Sequence, residues 1–232
     1  MDWERKPNIQ PERWQQLEQG ELYRKTISDA IAQWLQQQKF CAERWLRVGA
    51  LSADLSLDLA LAQQIVLAEK NPQNSTALAP PPLFIQGSPA AQPFMDDFID
   101  TALVALELNF HADPHAVLRE TARVLKDDGY LLLISFNSFS PLLAKSNLSA
   151  DKNFHISYRT FSPLRIQDWL KLLSLELLEQ RNLPPNKQYL QPFAPLNLYI
   201  ARKCTLPLTL QQEKVRVKIQ QFFQPAEALK VK

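Results

Sequence analysis

Apolar residues recur along this chain with two different periods, and the alternation of those periods predicts an α/β fold. Between Glu21 and Lys39, Ile27, Ala30, Ile31, Trp34 and Leu35 fall at helical spacing and predict an amphipathic helix. Short apolar runs follow at Arg44–Val48, stopped by Gly49, at Gln64–Ala68, and at Leu83–Ile85, which ends at Gly87; each predicts a strand. Residues 53–62 suit a short helix. Asn71–Pro82 carries Pro72, Pro80, Pro81 and Pro82 among Asn, Ser and Thr and reads as a loop.

The best-specified unit runs from Phe98 to Asn137. Asp100–Leu108 reads as a strand. Asp113-Pro114 supplies an N-cap and a first-turn proline whose missing N–H costs nothing. Val117, Leu118, Thr121, Val124 and Leu125 make the apolar face of the helix that follows. Asp128-Gly129 is expected to close it, with Gly129 as the left-handed cap. Tyr130–Phe136 is almost wholly apolar, the pattern of a strand buried on both faces of a parallel sheet. Ser162-Pro163 opens a second helix with Ile166, Trp169, Leu170 and Leu173 inward, and Glu176–Gln180 and Leu196–Ala201 read as closing strands. The whole predicts a doubly wound, mostly parallel sheet of about seven strands with helices on both faces. It spans residues 21–210, between an irregular arm over 1–20 and a basic tail over 211–232.

Composition narrows the picture. Hydrophobic residues are 46% and charged residues 22%, an ordinary balance for a chain that buries a core. A formal charge of +2 argues for neither nucleic acid nor membrane. Cys41 and Cys204 form no CxxC pair and read as free thiols of a reducing compartment. The polar, aromatic start lacks a signal peptide's apolar core, and no apolar run approaches a bilayer span, so the expected location is the cytoplasm. Only four glycines stand against 17 prolines, and no two glycines cluster, which excludes Walker-type and GxGxxG phosphate loops.

Other chemistry is sparse. The three histidines, His111, His115 and His155, have no cysteine or acidic cluster to complete a metal site. Ser135, Ser138 and Ser140 lack a nucleophile elbow. Trp3, Trp14, Trp34, Trp45 and Trp169 read as packing residues. The tail, with Lys214, Arg216 and Lys218 near Phe222-Phe223, either is solvated or touches RNA or a membrane surface.

Leu106-Glu107-Leu108-Asn109-Phe110-His111-Ala112-Asp113-Pro114, the helix to Gly129, and Leu132–Asn137 together resemble the fourth strand, helix and fifth strand of class I S-adenosylmethionine (SAM)-dependent methyltransferases of the type 11 group. Pro93-Phe94 before Met95-Asp96-Asp97 resembles the turn ahead of that fourth strand. Arg159–Ser162 with Asp168–Leu173 resembles a later helix. Ile200–Leu210 is similar to the C-terminal strand of the bacterial YafS-like branch.

The resemblance implies a Rossmann-like sheet with an antiparallel final strand, a SAM cofactor, and methyl transfer to an acceptor the sequence does not identify. It also exposes departures. Where such enzymes carry an acid and a GxGxG loop, this chain reads Arg47-Val48-Gly49-Ala50-Leu51-Ser52-Ala53. Arg47 would meet the cofactor's sulfonium and amino groups with the wrong sign. Ser88 stands where an aspartate often reads the adenine amino group. Glu69 follows Gly49 by about 20 residues, the spacing at which an acid grips ribose hydroxyls; otherwise it is a surface residue beside Lys70.

The implied cofactor residues are therefore Gly49, Glu69, Gly87, Ser88 and Glu107. Glu107 either faces the cleft or pairs with an arginine. On the acceptor side stand Asn137, which otherwise caps the turn into Pro141, and His111, which otherwise is a solvent-facing loop residue. No general base is evident. The alternative function is a degenerate, non-catalytic methyltransferase fold used for binding or regulation. An enzyme requires an open cleft beside Gly49, Glu69 and Ser88; Leu51 and Arg47 filling that space would favour the alternative.

Overall fold

The computed structural model describes residues 10–37, 43–59, 62–70, 81–141, 158–186 and 193–204. Residues 1–9, Cys41, His155, most of the proline-rich loop and the basic tail lie outside them. Seven strands form one sheet: β1 (Arg44–Val48), β2 (Gln63–Ala68), β3 (Leu83–Gln86), β4 (Ile99–Ala105), β5 (Leu125–Phe136), β6 (Leu175–Leu183) and β7 (Leu196–Lys203). Their order is β3-β2-β1-β4-β5-β7-β6. All neighbours are parallel except β7, which runs antiparallel to both β5 and β6. The predicted fold class is the observed one.

Two-residue alternation divides the sheet's side chains between two cores. On one face Trp45, Leu103, Ala105, Leu132, Ile134, Leu198 and Ile200 meet α1 (Gly20–Gln37) through its Tyr23, Ile27, Ile31 and Trp34. On the other, Leu46, Val48, Ala102, Val104, Leu131, Leu133 and Tyr199 meet α4 (Pro114–Val124) and α5 (Pro163–Leu172). Both later helices open as the sequence predicts: the Asp113 side chain accepts from Ala116 N–H and that of Ser162 from Arg165 N–H, each with proline in the first turn. Trp14, Trp34, Trp45 and Trp169 are all buried. Among the described residues, no helix is long and apolar enough to cross a membrane.

Three expectations need correction. The short helix comes earlier than residues 53–62: α2 spans Ala50–Ala53, and the chain then runs extended with Leu55, Leu57 and Leu59 buried and Ser56 and Asp58 exposed. That alternation was present in the sequence. The fourth strand stops at Ala105 rather than Leu108, because Leu106 adopts a left-handed φ of 57° and a single helical turn, α3 (Glu107–Phe110), follows. Helix α4 ends at Val124, and β5 begins at once. The left-handed residue before its apolar run is Asp128 (φ 60°), inside an irregularity of the β4–β5 register. Gly129 is required for a different reason: a Cβ there would stand 2.8 Å from Lys126 O and 3.1 Å from Asp100 O.

These two positions respond oppositely to substitution. Gly129→Ala is expected to cost about 1–3 kcal/mol through that backbone overlap. Asp128→Gly leaves stability unchanged or raises it, since relief of the left-handed penalty, about 1–2 kcal/mol, offsets glycine's extra chain entropy. Urea midpoints of the two variants check this, and the reverse order of effects would place the left-handed turn at Gly129.

Candidate functional site

Ligands of open α/β sheets bind beyond the carboxyl ends of the strands where strand order reverses. Here that point lies between β1 and β4. The two strand ends are tied by one hydroxyl: Ser52 Oγ donates to Val48 O (2.6 Å) and accepts from Ala105 N–H (2.8 Å). Gly49, at φ +86°, turns the chain from β1 into α2 while its N–H donates to Leu67 O at 2.8 Å. The left-handed Leu106 turns the end of β4 so that Glu107 returns over Gly49. A side chain at Gly49 would overlap the Glu107 carboxyl group, so only glycine fits both the dihedral and the space.

Glu107 is 2% exposed, and Gln10 Nε2 donates to its Oε1 at 2.5 Å. Its hydrogen-bond partner among the described residues is thus an amide, not an arginine. Burial pushes its carboxyl up from the ordinary 4.5 to about 7; the Gln10 hydrogen bond pulls the other way, and the Glu69 charge adds to the rise.

A cleft of about 400 Å³ opens here. Gly49 and Ala50 form its floor, Glu69 and Lys70 one side, Pro89 another, and Gln10, Glu12 and Gln16 of the N-terminal arm a third. The arm is anchored by Trp14, whose fully buried indole donates to Leu51 O at 3.0 Å. Lys70 Nζ meets Glu12 Oε1 at 2.7 Å.

Neither Arg47 nor Leu51 fills this space. Leu51 packs into the α1 core. Arg47, fully buried on the face it shares with Trp45, sends Nη1 to Ala53 O (3.2 Å) and Leu55 O (3.0 Å). Desolvation lowers its pKa to about 10, so it stays cationic at neutral pH. The guanidinium thus turns into the core, away from the cleft.

Gly49 and Glu69 therefore share the cleft, with Glu107 set over Gly49. Gly87 and Ser88 immediately precede its Pro89, and Ser88 Oγ accepts from Ala90 N–H at 3.3 Å. Asn137 sits in the turn after β5: it is 1% exposed, its amide donates to Ala194 O (2.8 Å), and its Oδ1 accepts from Phe139 N–H (3.1 Å). His111 lies in the loop between α3 and α4, where its Nδ1 accepts from Asp113 N–H at 3.0 Å, and it is not part of the cleft lining. Among the described residues, no group of His, Cys, Asp and Glu could hold a metal ion.

Sequence reasoning passed over Ser52, Gln10, Glu12 and Asn109. Ser52 carried a signal, being the one polar residue in an apolar turn after Gly49. Asn109 is fully buried and bonds Phe136 N–H through Oδ1 and Arg159 O through its amide. The arm residues carried none, since their role depends on a chain that folds back across the sheet.

Comparison with known proteins adds a lineage. A methyltransferase domain model matches residues 35–133. The uncharacterized protein YafS of Escherichia coli (strain K12) is 32% identical over 228 residues, covering 92% of this chain and 90% of that protein. Among solved structures, the [4+2]-cyclase SpnF superposes with a TM-score of 0.60 at 15% identity, over 88% of this chain and 86% of its own. The 1,6-didemethyltoxoflavin-N1-methyltransferase of Burkholderia thailandensis, solved with bound S-adenosylhomocysteine, does so at 0.56 and 17% identity over 77% of each chain. At those identities the structural likeness speaks for the fold.

The elevated Glu107 pKa makes stability depend on pH. A carboxyl whose folded pKa lies above its unfolded value contributes stability that is complete below about 4.5 and lost as pH rises to about 7. Glu107→Gln removes that loss. Relative to the parent chain, the variant is expected to gain roughly 1–3 kcal/mol between pH 5 and pH 8. Urea unfolding at the two pH values checks it; parallel shifts of both proteins would show that Glu107 is not the group that titrates.

Proposed function

The chain belongs to the YafS-like branch of the type 11 class I SAM-dependent methyltransferases, and on that footing we propose that it binds SAM in the cleft above Gly49 and methylates an acceptor. The supporting observation is the open cleft at the point of strand reversal, with one glycine on its floor, a buried carboxyl group over that glycine, and Glu69 at the end of β2.

The residues fit the cofactor. At about 400 Å³ the cleft is within the range that holds small ligands. Glu69, exposed within it, is placed to accept hydrogen bonds from the vicinal hydroxyls of a ribose. Gly49 lets a ligand approach the backbone, and the acids suit the cofactor's positive charges. When bound, SAM supplies a methyl group on a sulfonium that needs only an aligned nucleophile. The protein's share is then orientation: Ser52 fixes the separation of β1 and β4, Gly49 and Glu107 shape the floor, and the arm with Trp14 excludes water from one side.

Two observations favour the second reading, a binding-only fold. Leu51 and Ala53 replace loop glycines and are committed to the core, and Gln10 already occupies one oxygen of Glu107. Fold likeness does not choose between them, since the same scaffold serves a cyclase.

Calorimetric titration with SAM and S-adenosylhomocysteine separates the two. Binding tighter than about 1 mM is expected. Glu69→Ala should weaken it about 10- to 100-fold, the worth of hydrogen bonds to a charged acceptor, and His111→Ala should leave it unchanged. Absence of binding at millimolar SAM would leave only the binding-scaffold reading.

A further inference from the structure

Two acids line the cleft, Glu12 from the arm and Glu69 from the end of β2, and a third, Glu107 of α3, lies buried directly behind two lining residues, against Gly49 and bonded by the Gln10 amide. The cation in the lining, Lys70, is engaged by Glu12 at 2.7 Å. Arg47, two residues before Gly49, is turned into the core onto Ala53 O and Leu55 O and offsets nothing on the cleft side. Glu107 differs from the other two acids. It is 98% removed from solvent, its Oε1 holds only a neutral amide, and its other oxygen stands against Gly49 with no hydrogen-bond donor among the described residues.

Resting on the SAM reading above, we propose that Glu107 sets the charge specificity of the cleft, receiving a cationic group of the ligand, ammonium or sulfonium, in exchange for the Gln10 amide. The physical basis is the low polarity around the carboxyl. A charge-assisted contact there is roughly twice as strong as one to a neutral donor. A cation at Glu107 also relieves the repulsion between Glu107 and Glu69. The acid that β1 lacks at Arg47 is thereby supplied from β4's end, by a residue far away in sequence and adjacent in space. Burial holds the Glu107 carboxyl near pH 7. Its ionisation by an incoming cation therefore releases about half a proton to solvent at neutral pH.

The test is calorimetry on the full chain at pH 7 in two buffers of different ionisation enthalpy. The ligands are SAM and 5′-methylthioadenosine, which lacks both the sulfonium and the ammonium. The parent chain is expected to prefer SAM at least tenfold. Glu107→Gln, nearly isosteric and checked for folding by circular dichroism, should reduce that preference at least tenfold and release about half a proton less. Gln10→Ala should tighten SAM binding several-fold by removing the internal competitor. A Glu107→Gln protein that keeps both the preference and the proton release overturns the proposal while leaving SAM binding intact. A parent chain that binds neither ligand overturns the SAM reading itself, and this proposal with it.

Discussion

The architecture turns on one hydroxyl group. At the point where strand order reverses, β1 and β4 end side by side beneath the single turn of α2. Ser52 Oγ bridges them, giving a proton to Val48 O and taking one from Ala105 N–H. Buried peptide groups left without partners cost on the order of 1–3 kcal/mol each. The bridge therefore closes the sheet without filling the space above it. The floor of the cleft hangs from these ends: Gly49 follows Val48 directly, and Leu106 and Glu107 follow Ala105.

Arg47 lies buried just before this turn, with its charge held inside the core. A buried guanidinium is costly, and its pKa falls to about 10 accordingly. Nη1 is satisfied by the carbonyls of Ala53 and Leu55, which end α2 after one turn and hold the following segment extended. Its Nε and Nη2 have no partner among the described residues. The charge thus organises the loop from below, on the α1 face, while the opposite charge of Glu107 stands above Gly49. The acid beside Gly49 comes from α3 rather than from β1.

Much of the fold was legible because burial on both faces leaves a plain signature. The apolar run to Phe136, the caps Asp113-Pro114 and Ser162-Pro163, and the inward stripe of α1 each carry their own local physics. The misreadings share a cause. Leu55, Leu57 and Leu59 alternate too briefly to outweigh a helical reading until Arg47 claims the carbonyls beside them. Asp128, rather than Gly129, takes the left-handed turn because Gly129 is reserved for a close approach of Lys126 and Asp100. From sequence Asn137 reads as either acceptor-facing or capping, and its contacts with Ala194 and Phe139 show what the sequence does not, a buried residue bonded within the turn.

By itself the sequence determined the alternation of strands and helices, the caps, and the family to which the chain belongs, since each depends on neighbours a few residues apart. Tertiary structure alone decided what occupies the cleft. Whether Arg47 faces a ligand or the core depends on which face of β1 it shares with Trp45. Whether Glu107 ionises depends on Gly49, Glu69 and Gln10, residues remote along the chain and adjacent in the fold. Charge and proton affinity are properties of surroundings, and those surroundings exist only once the sheet has closed.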